Sequence, residues 1–209
     1  PCDSPNIVES KSLKLYLNSY HQHVESSWSA LKSRLRDDLS SATGGSVEVS
    51  LSTLDDYHRQ RPTSEPEGYC MDSRHVWINA YTRDANLLAI DVDREFDSAI
   101  GSEIEETLYT HLLRSNCPVT NQPDWASVYI IYRGAPIDRD GLLAYLVSYR
   151  QHQDFHEQCV EQIFADIVAH CEPSELSVYA RYLRRGGIDI NPFRSTHHAL
   201  PPAFRHVRQ

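Results

Sequence analysis

Apolar residues recur at Leu13, Leu17, Tyr20 and Val24, the i, i+4, i+7, i+11 spacing of one helical face. They predict a first helix with Glu9, Ser10 and Lys11 at its entrance. Trp28, Leu31, Leu35 and Leu39 repeat the spacing behind Ser26 or Ser27, which suit an N-cap, and Gly44-Gly45 ends the run. The period then falls to two. Residues 46–51 alternate cleanly and residues 75–81 less cleanly, so both predict strands. Between them, residues 61–68 carry two prolines and several charges and predict a mobile loop.

The pattern restarts after Gly101. Residues 106–116 and 125–132 predict two strands flanking one loop, and residues 138–150 a helix with Leu142, Leu146 and Tyr149 on one face. Residues 154–171 predict another, striped by Val160, Ile163, Phe164, Ile167, Val168 and Cys171. Residues 177–183 and 188–190 are strand candidates around Arg184-Arg185-Gly186-Gly187. The second half thus reads β-β-α-α-β-β and the first α-α-β-β. Hairpin-joined strands with helix pairs predict an α+β architecture, a mostly antiparallel sheet with helices on one face. The expected division is an N-terminal module over 1–95 and a C-terminal one over 96–209.

A net charge of −9 and a pI near 5.6 argue against a protein that binds nucleic-acid phosphates. Cys2, Cys70, Cys117, Cys159 and Cys171 are odd in number and include no C-x-x-C pair, so neither a disulfide framework nor a zinc ribbon is indicated. Reduced thiols suit a cytoplasmic enzyme. No apolar run approaches a membrane span, and the first residues do not form a signal peptide. The chain opens on Pro rather than Met, which points to a missing or processed upstream segment.

The loop Ser115-Asn116-Cys117-Pro118-Val119-Thr120-Asn121-Gln122-Pro123-Asp124-Trp125 places a thiol and a carboxylate in one short stretch. Each Pro fixes its own φ and biases the residue before it towards an extended backbone. On the loop alone, a proline-rich turn with a buried thiol is an equal alternative.

Four motifs together resemble the NADPH-dependent 7-cyano-7-deazaguanine reductases. They are Glu9-Ser10-Lys11-Ser12-Leu13-Lys14-Leu15-Tyr16, the Cys117 loop, Phe155-His156-Glu157-Gln158-Cys159, and Tyr182-Leu183-Arg184-Arg185-Gly186-Gly187-Ile188-Asp189-Ile190-Asn191-Pro192. The resemblance covers nearly the whole chain. It implies the tunnelling fold, with two β-β-α-α-β-β modules per chain in long members; here the first module lacks its opening strand pair. It also implies a four-electron reduction of a nitrile to a primary amine with NADPH, on the route to queuosine in tRNA. The partner is then a small molecule, 7-cyano-7-deazaguanine, with no direct nucleic-acid or membrane partner, and the expected assembly is a homodimer or larger homo-oligomer.

The chemistry of the residues fits that implication. A free thiol is only a few per cent thiolate at neutral pH, so Cys117 needs help to attack carbon. An ionised Asp124 raises the pKa of a neighbouring thiol, so it suits the role of proton carrier to the nitrile nitrogen as sulfur bonds to carbon in a thioimide. Two hydride deliveries each need a proton, and Asp124 and His156 are the candidates. A carboxylate accepts the adjacent ring N–H and amine donors of a deazaguanine, which points to Glu157. The family brings His156-Glu157 and Val8-Glu9-Ser10 to the heterocycle from different modules. It assigns cofactor contact to Ser10, Lys11, Arg185 and Gly186, and no G-x-G-x-x-G suggests a Rossmann site.

Plainer readings stand beside these. Asp154 and Glu157 also form a capping-box pattern, His156 shares a face with core residues, and Lys11 and Arg185 suit solvated surface charges. His152, His156 and Cys159 have metal-ligand spacing on one helix face, so a zinc-dependent purine cyclohydrolase of the same fold is a rival, although the site expected here holds no metal. A catalytically silent module is another.

Overall fold

The computed structural model describes the chain apart from residues 61–62, 65–66, 95–102, 198 and 202–203, and gives residues 58 and 60 as backbone only. Its contacts divide into two units, Pro1–Pro62 with Arg185–Ile188, and Thr63–Arg184 with Asp189–Gln209. The module boundary expected between 95 and 96 lies outside the described residues, as does part of the loop expected over 61–68. Met71 and Leu88, upstream of that boundary, are buried in the core of the second unit.

In the first unit, α1 (Ser10–Asn18) starts where Glu9 accepts the Ser12 N–H, and it buries no residue. A single 3-10 turn over Ser19–Gln22 follows. The apolar face expected to continue to Val24 therefore breaks, and Val24 is 97% exposed. Helix α2 (Trp28–Thr43) has the predicted ends: the Ser27 side chain accepts the Ala30 N–H, and Gly44 closes the helix at φ 70°. Only glycine adopts that left-handed conformation without strain. Helix α3 (Leu54–Gln60) is an addition. Thr53 accepts the Asp56 N–H and donates its hydroxyl to the Asp56 carboxylate at 2.7 Å, a capping arrangement that nucleates a short helix.

Residues 46–51 do not form the expected strand. Val47, Val49 and Leu51 are half-buried and alternate with exposed Ser46, Glu48 and Ser50, but no backbone ladder forms there among the described residues. Alternation specifies two faces; a strand also requires a hydrogen-bonding neighbour.

The second unit carries a five-stranded sheet in the order β1 (Tyr69–Cys70), β2 (Ile104–Asn116), β3 (Pro123–Gly134), β4 (Glu175–Tyr182), β5 (Phe193–Ser195). β1 runs parallel to β2 and the other pairs are antiparallel. With α4 (Arg139–Ser148) and α5 (His156–Cys171), the order from β2 onward is the expected β-β-α-α-β-β, an α+β layer. One sheet face, including Val128, Ile130, Tyr132, Val178 and Ala180, joins Leu142, Leu146, Val160, Ile163 and Ile167 of the helices in the core. Residues buried to this degree lose about 2–5 kcal/mol on truncation from Ile or Leu to Ala. The opposite face carries a row of tyrosines, with Tyr129 stacked 5.7 Å from Tyr109 and packed edge-on against Phe204 at 5.8 Å.

Three expectations of the second unit need correction. Residues 75–81 form no strand: Val76 and Ile78 pack on the core while Trp77 is 90% exposed, without a ladder among the described residues. Residues 188–190 form none either. Arg185 and Ile188 close a tight turn, with Gly186 at φ 60° and Gly187 at φ 83°, and the last strand begins only at Phe193. Helix α5 begins at His156 rather than 154, because the Asp154 carboxylate accepts the adjacent Phe155 N–H and Phe155 is an N-cap without a side-chain bond.

Candidate active site

The Cys117 loop joins β2 to β3, and the two strands meet with Ser115 opposite Asp124 and Asn116 opposite Pro123. Cys117 closes the turn on both sides: its N–H donates to Gln122 O at 2.9 Å, and its carbonyl accepts the Asn121 N–H at 2.9 Å. Asn121 takes the left-handed φ of 55° this reversal requires. The thiol is half-buried.

Three loop donors act on that thiol. Burial opposes ionisation, but the Thr120 hydroxyl and the backbone N–H groups of Thr120 and Val119 donate to sulfur, and they hold its pKa below the ordinary thiol value against the repulsion of Asp124. Cys159 and Cys171 behave oppositely, burial pushing each up to about 11. Cys117 is therefore the most readily ionised of these three thiols.

The helix that carries His156 and Glu157 is delivered to the loop by backbone bonds. Asn116 N–H donates to His152 O at 2.8 Å, Asp154 N–H to Asn116 O at 3.2 Å, and the Asn116 side chain to Arg150 O at 3.1 Å. Gln153 adds a bond to the Asn121 side chain at 2.7 Å. His156, at the first turn of α5, then stands with Nε2 3.6 Å from Asp124 Oδ1, the two side chains only 14% and 2% exposed. Its ring rests edge-on against Tyr182, centroids 4.0 Å apart. Tyr182 is fully enclosed, with burial and the nearby Cys159 raising its pKa well above that of an ordinary phenol, so it stays neutral beneath the pair.

Glu157 is half-buried in the first turn and makes no capping bond to the start of α5. The capping-box reading is thereby removed. His156 is not enclosed in the core but stands at its edge, beside a carboxylate. The structure thus brings together Cys117, Asp124 and His156 in the second unit, with Glu157 next to His156 in the first turn of α5.

The remaining predicted residues belong to the first unit. Glu9 caps α1, its Oε2 accepting the Ser12 N–H at 2.9 Å; the Lys11 N–H, with burial opposing and Ser12 assisting, holds its carboxyl below the usual range. Val8 and Ser10 are half-buried and Lys11 is exposed. At the Arg185–Ile188 turn, a Cβ placed on Gly186 lies 3.3 Å from Lys14 Cε and one on Gly187 meets nothing within 4 Å. A bare backbone with a lysine laid along it suits a phosphate group.

Thr120, Val119 and Tyr182 were not singled out by the sequence. The signal for Thr120 was present: a hydroxyl three residues after a cysteine in a proline-fixed turn can fold back onto the sulfur. Among the described residues, the group with metal-ligand proximity is Cys70, Asp72 and His111, not His152, His156 and Cys159. Instead the His152 ring faces Asp154 at 3.6 Å.

Comparison with known proteins bears on the family. Residues 1–51 match the model for the nitrile reductase, 7-cyano-7-deazaguanine-reductase N-term, and residues 123–200 the model for QueF-like protein. The NADPH-dependent 7-cyano-7-deazaguanine reductase of Saccharophagus degradans is 52% identical over 97% of this chain and 71% of its own length. That of Cupriavidus metallidurans is 51% identical over 100% of this chain and 73% of its own. A crystal structure of the archaeosine synthase QueF-Like in the apo form aligns at TM-score 0.41 and 19% identity over 47% of this chain and 97% of that one. With half its residues identical to these enzymes along essentially its whole length, the chain belongs to the NADPH-dependent 7-cyano-7-deazaguanine reductase family.

Proposed function

We propose that this chain reduces the nitrile of 7-cyano-7-deazaguanine to the primary amine with NADPH, on the route to queuosine, and that Cys117 is its nucleophile. The observation that carries the assignment is the Cys117 thiol, whose loop donors favour the thiolate, beside Asp124, which in turn stands 3.6 Å from His156.

Cys117 sulfur adds to the nitrile carbon, and the thiol proton passes through Asp124 to the nitrile nitrogen, giving a thioimide with nothing released. NADPH supplies a hydride to carbon in each of two reductions. Between them the C–S bond breaks, sulfur leaves as thiolate, nitrogen returns one proton to Asp124, and an imine remains for the second reduction to the amine. Each reduction takes a proton at nitrogen, delivered by Asp124 and replenished through His156. The Thr120 and Val119 donors that favour the thiolate also make sulfur a better leaving group.

Glu157 accepts the ring N–H and exocyclic amine of the heterocycle, with Val8, Glu9, Ser10 and His156 as further substrate contacts. Ser10, Lys11, Arg185 and Gly186 hold NADPH. The bare turn backbone beside Lys14 supports this assignment, since exposed N–H groups and ammonium charge are what a phosphate needs. The protein works in the cytoplasm as a homodimer or larger homo-oligomer, on a free small molecule rather than on nucleic acid or membrane. No helix among the described residues is long and apolar enough to cross a membrane.

The test is mass spectrometry of the protein incubated with 7-cyano-7-deazaguanine alone. A gain of one full substrate mass on Cys117, cleared by NADPH with two equivalents consumed per amine, is expected. An adduct on Cys159 or Cys171, or loss of a leaving group, overturns the mechanism.

A further inference from the structure

Cys70, Asp72 and His111 place one thiol sulfur, one carboxylate oxygen and one imidazole nitrogen within 4.8 Å of one another, all half-buried. Cys70 and Asp72 are two residues apart, at the end of β1 and in the turn that follows it, while His111 comes from the neighbouring strand. Cys70 ends β1 and pairs with Tyr109 of β2, and Met71 N–H donates to Tyr109 O at 2.9 Å, so the short edge strand brings the three side chains into one place.

We propose that these residues form a binding site for a zinc-class transition-metal ion. The donor set supports it: a soft thiolate and an imidazole select zinc and its neighbours over magnesium or calcium, and thiolate plus carboxylate neutralise a divalent charge. Two of the ligands are already held. The Asp72 carboxylate accepts the His111 backbone N–H at 3.2 Å from each oxygen and also the Thr110 hydroxyl, at the point where the β2–β3 register shifts between Thr110 and Leu113. Ser127 Oγ lies 2.7 Å from His111 Nδ1, and the His206 ring packs 5.0 Å from the His111 ring, so the imidazole is oriented before any ion arrives. Such outer contacts set the orientation and basicity of metal ligands.

Ligand atoms at 2.0–2.3 Å from a tetrahedral ion are roughly 3.3–3.8 Å apart, so a triad within 4.8 Å closes on the ion by at most about 1.5 Å. The fourth position takes water. An ion here ties the edge strand β1 to the bulge of β2, a structural role separate from Cys117.

Competition of the metal-stripped full chain against a chromophoric zinc chelator, together with cobalt(II) spectra, tests the site. One zinc per chain is expected, with a sulfur-to-cobalt charge-transfer band. Cys70→Ser abolishes the band, and both Cys70→Ser and His111→Gln weaken zinc binding by about 100-fold or more, since losing a contact behind a ligand already costs 10- to 100-fold. Cys117→Ser keeps both signals. Circular dichroism checks that each variant folds, and if Cys70→Ser does not, His111→Gln decides. A band that survives Cys70→Ser, zinc binding unchanged in His111→Gln, or no zinc taken from the chelator by the parent protein overturns the proposal.

Discussion

His156 Nε2 stands 3.6 Å from Asp124 Oδ1, just beyond hydrogen-bond length, with Asp124 nearly closed off from solvent and His156 packed on Tyr182. A small movement of the ring makes the bond, and in the proposed mechanism the pair then relays a proton from the mostly enclosed imidazole to the carboxylate once per reduction. Asp124→Asn keeps the shape and removes the proton carrier. Its turnover number is expected to fall by about 10²–10⁴, the usual range for a general acid–base group, with the melting temperature little changed. Should His156→Gln lose that much while Asp124→Asn stays active, the roles are reversed.

The thiols are separable by pH. Hydrogen bonds that favour the thiolate lower the pKa of Cys117, so its alkylation rate, which follows thiolate, climbs at lower pH than for an ordinary cysteine. Cys159 and Cys171, at about 11, stay unmodified at neutral pH. Thr120→Val removes one donor and is expected to move the Cys117 midpoint upward. Mass mapping after brief iodoacetamide treatment across a pH series reads both effects, and an unmoved midpoint would remove Thr120 from the site.

Local signals foretold local structure well. Ser27 and Gly44 bound α2 because caps satisfy orphan backbone groups within a few residues, and the β2 and β3 strands around Cys117 follow from β-branched and aromatic runs. Residues 46–51 and 75–81 were misread because alternation describes sidedness while pairing depends on distant chain. The Arg83–Asp166 ion pair was invisible for the same reason, its partners being far apart in sequence. In the candidate site, the proximity of Cys117, Asp124 and His156 was legible through motif and chemistry. Whether Glu157 capped its helix was not, since that turned on α5 starting two residues late.

Asp166 makes the second unit sensitive to acid. Its carboxylate takes two bonds from Arg83 at 2.9 and 2.7 Å and one from the Tyr145 hydroxyl at 2.6 Å. Burial opposes the charge, but these donors outweigh it and the pKa is lowered from 3.8. A depressed carboxyl contributes stability that is present above its unfolded pKa and lost as pH falls through the folded one. Asp166→Asn is expected to cost about 1.5–3 kcal/mol at neutral pH, the range for hydrogen bonds to a charged group. Denaturant melts should show that difference shrinking below pH 4, and a constant difference across pH would exclude the ionic origin.

Cofactor binding should respond to the turn and the helix entrance. Arg185→Leu and Lys11→Ala are each expected to weaken NADPH by about 10- to 150-fold, equivalent to one charge-assisted contact, while the substrate adduct still forms because it precedes hydride transfer. Gly186→Ala adds strain at φ 60° and pushes a methyl against Lys14. It is expected to weaken NADPH as well. Titration of NADPH fluorescence beside adduct mass separates the steps, and equal loss of both would mark these residues as holders of the fold.

Glu157 tests substrate recognition without disturbing the scaffold. It is in the first turn of α5, where a negative charge contributes at most a few tenths to about 1 kcal/mol through the helix dipole, and it makes no capping bond. Glu157→Gln therefore leaves the melting temperature nearly unchanged. Recognition changes more, because Gln offers one acceptor oxygen and turns its NH₂ towards one of the two donors on the deazaguanine edge. A buried donor left unpaired costs about 1–3 kcal/mol beyond the lost charge, and sites built to pair a polar edge discriminate by roughly 10⁴. The specificity constant for the nitrile is accordingly expected to fall by about 100-fold or more, with NADPH affinity unaffected. A variant that melts early yet turns over normally would place Glu157 in the helix rather than at the substrate.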